Sequence, residues 1–220
     1  MNRLIIFISL LLFASCGLDF EVEYPVVDPS GFLNQTSPLT NDSKSVMEGI
    51  YKVIEGNEYF GDFVVLKWSG ENLSVFTNIN AGYMVFRAGS LDSVIFCYGY
   101  WRYGSSSETG PINFYISSFE GGRKIMAGDT TNLQIITRGA FGGGNNFPDR
   151  SFRLEYLRPF SENVKQDEFY ILAHRGGGRN SDYLPASENS VEIIALAERL
   201  GANGIEIDVR LTKDGIPILY

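Results

Sequence analysis

The chain is 220 residues long, with 44% apolar and 20% charged residues. That is enough for one complete domain and part of another at roughly 150 residues per domain, and it excludes a disordered or collagen-like chain. The formal charge of -8, from 18 Lys+Arg against 26 Asp+Glu, has the wrong sign for neutralising nucleic-acid phosphates, while 2 cysteines and 1 histidine leave too few ligands for a disulfide framework or a His/Cys zinc site.

Met1-Asn2-Arg3 leads into an apolar run from Leu4 to Phe13, followed by Ala14-Ser15-Cys16. A basic start, a run of about ten apolar residues and small residues at its end describe a secretory signal, since a spanning helix needs ~20. Leu12-Phe13-Ala14-Ser15-Cys16 resembles the bacterial lipobox, in which the cysteine is lipidated. The resemblance implies a lipoprotein signal peptide over residues 1–15 and a lipid anchor at Cys16. It places the protein in a bacterial cell envelope, at the outer membrane or cell surface. Residues 16–44 are polar and contain Pro25, Pro29 and Pro38, a composition that suits a tether. With Cys16 taken, Cys97 has no partner for a disulfide. Its setting, Val94-Ile95-Phe96-Cys97-Tyr98, predicts a buried structural thiol.

Residues 45–160 read as a β-rich domain. Ser45 and Glu48 have capping-box spacing, and Gly49 limits any helix there to a turn or two. Beyond it, runs of β-branched and aromatic residues recur at 63–68, 73–77, 83–87, 94–103, 112–117, 133–137 and 152–157, separated by Gly, Asn, Asp and Ser clusters. This spacing predicts an all-β sandwich or small barrel. Gly139 to Asn146 is glycine-rich but has no Lys-Ser/Thr and no following helix pattern, so it reads as a hairpin connection rather than a phosphate loop. The aromatics Tyr98, Tyr100, Trp101 and Tyr103 suit a strand that packs in the core.

The residues that carry chemistry lie after Tyr170. A short apolar run, Tyr170 to Ala173, ends on His174-Arg175-Gly176. Asn189-Ser190-Val191-Glu192 opens a helix running to about Leu200, with Val191, Ile194, Ala197 and Leu200 near one face and Gly201 as its stop. Gly204 to Val209 predicts a second strand, and Lys213-Asp214-Gly215 turns the chain into a third, Ile216 to Tyr220. On a strand, Glu206 and Asp208 share one face, about 7 Å apart at a rise of ~3.3 Å per residue. Two such acids lie either at a wet edge beside arginines or around a hard divalent cation such as Mg²⁺ or Ca²⁺. His174 can move a proton near neutral pH and the Arg175 guanidinium matches a phosphate, which together point to a metal-assisted phosphoryl site.

Four blocks in order, His174-Arg175-Gly176, Glu188-Asn189-Ser190, Gly201 to Val209 and Leu211 to Leu219, resemble the opening of the glycerophosphodiester phosphodiesterase family. The resemblance covers residues 168–220. It implies the first βαββ portion of a TIM (β/α)₈ barrel, with active-site residues at the C-terminal strand ends. By the same resemblance His174 is one of two acid/base histidines, Arg175 a phosphate contact, and Glu206 and Asp208 two metal ligands, with Glu188 and Asn189 in support. The implied reaction cleaves a glycerophosphodiester to an alcohol and glycerol 3-phosphate. Ser187 stands where the family usually has proline, and Gly176-Gly177-Gly178 adds glycine after the histidine. The family's second histidine follows the third strand in a His-Asp pair, whereas this sequence has the single histidine His174. An incomplete barrel and an inactive fragment are therefore expected. The other expectation is a surface lipoprotein whose β domain binds a ligand and whose barrel remnant is non-catalytic. The sequence carries no signal for an oligomeric state.

Overall fold

The computed structural model describes residues 30–106, 108–166, 169–178, 186–198 and 201–220. The expected signal peptide, the expected lipidation site at Cys16 and the first part of the expected tether fall outside these. No helix among the described residues is long and apolar enough to cross a membrane.

Eight antiparallel strands close into one barrel: β1 (Gly49–Glu55), β2 (Phe63–Ser69), β3 (Asn72–Thr77), β4 (Gly82–Leu91), β5 (Val94–Tyr103), β6 (Thr109–Ile116), β7 (Ile136–Phe141) and β8 (Arg150–Arg158). Each pairs with its sequence neighbours, and β1 completes the circle by pairing with both β2 and β8, with Tyr51 opposite Val64 on one side and Tyr156 on the other. Of the two expected arrangements the barrel is present and the sandwich is not. The strand that decides this, β1, starts at Gly49, the residue expected only to limit a short helix. The helix lies earlier, at α1 (Asn41–Met47), capped by Thr40, whose hydroxyl accepts the Ser43 N–H at 3.1 Å. The expected Ser45–Glu48 capping box is absent. Glu48 instead pairs with Lys67 at 2.6 Å and accepts the Trp68 N–H at 3.0 Å, tying the start of β1 to β2. Leu39, Ser43 and Lys44, from the segment read as tether, are buried, because α1 and its approach cover the end of the barrel.

Alternation puts one set of side chains inside. Val64, Leu66 and Trp68 of β2, Ile95, Cys97 and Trp101 of β5, Ile112, Phe114 and Ile116 of β6, and Phe152 and Leu154 of β8 all belong to a single buried cluster. A helical turn at Asn57–Phe60 drops Phe60 into one end, where its ring meets Phe141, Phe152 and Trp101 edge to face at centroid distances of 4.8, 5.5 and 6.2 Å. Met47 from α1 and Ile125 from the turn Arg123–Met126 are fully buried in the same cluster. The barrel is thus a packed core. Cys97 sits within it, and desolvation pushes its thiol well above the ordinary range, in keeping with a structural residue. Of the four clustered aromatics, Trp101 and Tyr103 point inward and are buried, while Tyr98 and Tyr100 alternate to the outer wall and are half-buried.

The turns follow the strand twist. Between β4 and β5, Leu91 pairs with Val94 around Asp92-Ser93, both at positive φ, the two-residue type I′ geometry. The glycine-rich stretch read as a connection divides in two. Gly139 lies inside β7, and the loop to β8 starts at Gly142, whose carbonyl accepts the Trp101 indole N–H at 2.7 Å. Gly139 is opposite Phe152, and a Cβ there would stand 2.3 Å from the Phe152 ring and 2.6 Å from the Asn113 carbonyl.

The strands and the longest helix after Tyr170 are β9 (Leu172–Ala173), α2 (Val191–Leu196), β10 (Gly204–Ile205), β11 (Val209–Leu211) and β12 (Pro217–Leu219). β9 and β10 pair in parallel, and β11 and β12 form a separate antiparallel hairpin. The expected order of strand, helix, strand, turn and strand is present, but the expected strand Gly204 to Val209 is interrupted, leaving residues 206–208 between β10 and β11. The α2 face also differs. Ile193 and Ala197 are buried, whereas Val191 is 72% exposed. This segment lies against the outer wall of β3 and β4, where the paired residues Ser74 and Val85 are buried from outside the barrel. Gly201, at φ +88°, lets the chain approach so closely that a Cβ would be 2.9 Å from Ser74 Oγ and 3.0 Å from Val85.

Substituting Gly139→Ala forces the Phe152 ring out of its packed position. Overpacking of this kind costs about 1–3 kcal/mol, and urea unfolding should register that loss, with Gly31→Ala, where a Cβ meets open space, as the comparison at a site outside the core.

Candidate functional site

The site is built where β9 and β10 end. His174 follows β9 and Glu206 follows β10, so a parallel pair delivers both residues from the same end. The ladder extends one step further, with the Glu206 N–H donating to the Ala173 carbonyl at 3.0 Å. The chain then turns sharply, and Arg175 takes a positive φ of 53°. This conformation is costly for a residue with a Cβ, and it is held by three hydrogen bonds. The Arg175 N–H donates to Glu206 Oε2 at 2.9 Å, the Gly176 N–H donates to the Glu206 carbonyl at 2.8 Å, and the Arg175 carbonyl accepts the Asn189 N–H at 2.8 Å.

The Arg175 side chain is the electrostatic centre. Its Nη1 donates to Glu188 Oε1 at 2.8 Å, and its Nε stands 3.3 Å from Asp208 Oδ2. The second contact is an ion pair without hydrogen-bond alignment, since Nε is buried and makes no hydrogen bond. Glu206 and Asp208 therefore both converge on Arg175, one through its backbone and one through its guanidinium. His174 is the outermost member, 65% exposed, with Nε2 at 3.9 Å from Glu206 Oε2.

Asn189 holds the frame. It is 5% exposed, sits at φ +56°, accepts the Asp208 N–H at 3.0 Å and donates from Nδ2 to the Tyr220 carbonyl. It therefore fixes the linker that carries the two acids against the end of β12. The next residue, Ser190, caps α2 by accepting the Ile193 N–H at 3.3 Å.

All six residues singled out after Tyr170 are thus brought together: His174, Arg175, Glu188, Asn189, Glu206 and Asp208. Their donor chemistry, carboxylate oxygens, suits Mg²⁺ or Ca²⁺. Among the described residues, however, no group of three or more His, Cys, Asp or Glu side chains is placed to hold a metal ion, and the Arg175 guanidinium already balances Asp208 and Glu188. These residues supply part of a ligand set and not a whole one. Sequence reasoning missed the wall facing His174. A cleft of about 390 Å³ is lined by His174 and Gly177 on one side and by Phe76, Tyr83 and Arg102 of the barrel on the other. A larger groove of about 1120 Å³ lies between α2 and Tyr98 and Tyr100, but His174 is not among its lining residues.

The model of the glycerophosphoryl diester phosphodiesterase family matches residues 174–220. A glycerophosphocholine phosphodiesterase of Candida albicans is 35% identical over 108 residues, covering 42% of this chain and 8% of that protein. A glycerophosphodiester phosphodiesterase 1 of Mus musculus is 36% identical over 90 residues, 41% of this chain and 23% of that protein. A glycerophosphodiester phosphodiesterase of Caldanaerobacter subterraneus is 47% identical over 45 residues, 20% of this chain and 16% of that protein. The chain thus spans less than a quarter of these relatives' length. No solved structure matches it significantly.

Replacing Asn189→Ala removes both side-chain bonds and leaves the Asp208 N–H without its acceptor. Hydrogen exchange should accelerate at Asp208 and across β11 and β12, by about tenfold for each ~1.4 kcal/mol lost, with the amides of β4 and β5 unchanged. Unaltered exchange at Asp208 would contradict the role given to Asn189.

Proposed function

Taking residues 174–220 as a segment of the glycerophosphoryl diester phosphodiesterase family, we propose that the protein serves the hydrolysis of glycerophosphodiesters to an alcohol and glycerol 3-phosphate. The observation that carries this reading is the delivery of His174 and Glu206 from the same end of a parallel strand pair onto one arginine. C-terminal strand ends are where (β/α)₈ enzymes assemble their sites. The strands also suit that architecture. β11 and β12 expose Val209, Leu211, Ile218 and Leu219, and strands apolar on both faces are characteristic of sheets covered on both sides. We read them as the opening of a phosphodiesterase barrel.

In this reading Arg175, held by Glu188, binds a phosphoryl oxygen through its guanidinium fork. His174 holds or releases the proton that one ester oxygen gains or loses. Glu206 and Asp208 offer two oxygen ligands to Mg²⁺ or Ca²⁺, which when bound neutralises charge on the phosphoryl group. Asn189 fixes Asp208 by its backbone. The chain has 1 histidine, so the reaction's second proton transfer has no imidazole here, and the 220 residues alone should release no glycerol 3-phosphate. The competing reading, a ligand-binding module, finds no support inside the barrel, where Phe60, Phe114, Phe141 and Phe152 fill the space a ligand would need.

The test is a chimera in which residues 174–220 replace the matching segment of the Caldanaerobacter enzyme. Divalent-dependent hydrolysis of glycerophosphodiesters is expected, falling about 10²–10⁴-fold in His174→Ala. A folded chimera without activity would sink the reading.

We also propose that Cys16 is lipidated and anchors the protein in a bacterial envelope, supported by the apolar run and small residues before it. Cys16→Ser should move the protein from the membrane fraction to the soluble one; retention in the membrane would count against the anchor.

A further inference from the structure

In a closed barrel whose strands pair in sequence order, alternate connections fall at the same end. The β4–β5 turn at Asp92-Ser93, the β6–β7 connection and helix α1 therefore share one end, and the loop between β7 and β8 lies at the other. The shared end is also where the chain comes in. Ser37 and Ser90 exchange two backbone hydrogen bonds of 2.8 Å, which pin the incoming segment to β4 one residue before Leu91. Cys16 lies about twenty residues upstream, so even a fully extended chain keeps it within roughly 75 Å of that point.

Apolar side chains stand out from this end. Phe119, in the turn Ser118–Gly122, is 83% exposed, and Leu91 is 45% exposed. The turns that carry them touch, since a Cβ on Gly122 would be 2.1 Å from the Ser93 carbonyl oxygen. Arg123 lays its guanidinium over the Phe119 ring at 4.6 Å from the centroid. Nearby charges cancel in pairs, Glu120 with Arg138 and Lys124 with Asp129, and Asp92 in the neighbouring turn offsets Arg123. The face therefore offers apolar groups with a cation at their edge, the arrangement of a bilayer interface, where a ring enters the headgroup region and a long basic side chain reaches the phosphates.

The size of the patch separates lipid from protein as its partner. Two protruding side chains fall far short of the ~800 Å² per partner of a stable protein interface. A bilayer at the other end of a tether needs much less, because the tether raises its effective concentration to the order of millimolar. The opposite end also exposes an aromatic, Phe147 at 86%, but the chain does not come in there.

Taking the anchor at Cys16 as its premise, we propose that this end of the β-barrel lies on the phospholipid surface, with Phe119 and Leu91 in the headgroup region and Arg123 at a lipid phosphate. The barrel then stands between the bilayer and the His174 cleft, which Phe76, Ala81 and Gly104 line from the other end. The chemistry-bearing segment is thus presented to phosphodiesters in solution.

The experiment couples the 220-residue chain, made without export so that Cys16 keeps its thiol, to phosphatidylcholine vesicles carrying maleimide headgroups. Cys97 is fully buried and does not compete. Tryptophan emission is then compared in vesicles of plain and of brominated phosphatidylcholine. Trp68 and Trp101 are buried in the barrel and give the unquenched baseline. In Phe119→Trp, brominated lipid should remove the emission that the added tryptophan contributes, whereas Phe147→Trp should emit equally in both vesicles. Leu91→Trp is a second reporter at the same end and should be quenched as Phe119→Trp is. An unquenched tryptophan at both 119 and 91, or quenching at 147, overturns the proposal. The link at Cys16 is chemical, so such a failure is separate from natural lipidation, which the fractionation of Cys16→Ser decides.

Discussion

An antiparallel sheet of eight strands has two edges, and each edge carries unpaired N–H and C=O groups that must find partners. In this protein the first strand removes both at once by pairing with β2 and β8. That closure sets the rest of the structure. It fixes which side chain of each strand points inward, and it demands that the interior be filled. The filling comes from Phe60 and Met47 at the two ends and from the aromatic cluster between them. Gly139 shows how tight the result is, since the Phe152 ring occupies the place where its Cβ would be.

A closed, filled barrel has only its outer wall left for function, and that is where the C-terminal segment lies. Ser74 and Val85 are register partners on β3 and β4, and both are buried from outside. Gly201 makes the approach possible because it has no side chain to hold the surfaces apart. The same wall continues through Tyr83 and Arg102 to the cleft at His174. The barrel is thus a platform whose exterior residues stand opposite the C-terminal segment.

Within the segment, charge organises the chain. Arg175 is held in an unfavourable backbone conformation by bonds to Glu206 and Asn189, and its guanidinium meets Glu188 and Asp208. Three carboxylates that would otherwise repel one another are given one common partner. Asn189 adds a second constraint that is purely geometric. It pins the Asp208 backbone and the end of β12.

Much of this was legible in the amino-acid order. The seven strand runs, the buried Cys97 and the selection of His174, Arg175, Glu188, Asn189, Glu206 and Asp208 follow from local pattern, because alternation and motif spacing are short-range properties. The eighth strand did not, since Gly49 and Ser45 suggested a helix end and nothing nearby revealed that β1 would pair with β8, a hundred residues away. Sandwich or barrel was decided by that one pairing. The break between β10 and β11 was likewise settled by contacts, as the bonds of Glu206 and Asp208 to Arg175 and Asn189 replace those of a continuous strand. Sequence alone singled out the residues to which the chemistry is assigned in the proposed function. Only the tertiary structure decided that Arg102 and His174 line one cleft, because residues so far apart in the chain are brought to it through the closure of a sheet and the packing of a segment on its wall, and neither leaves a periodic trace.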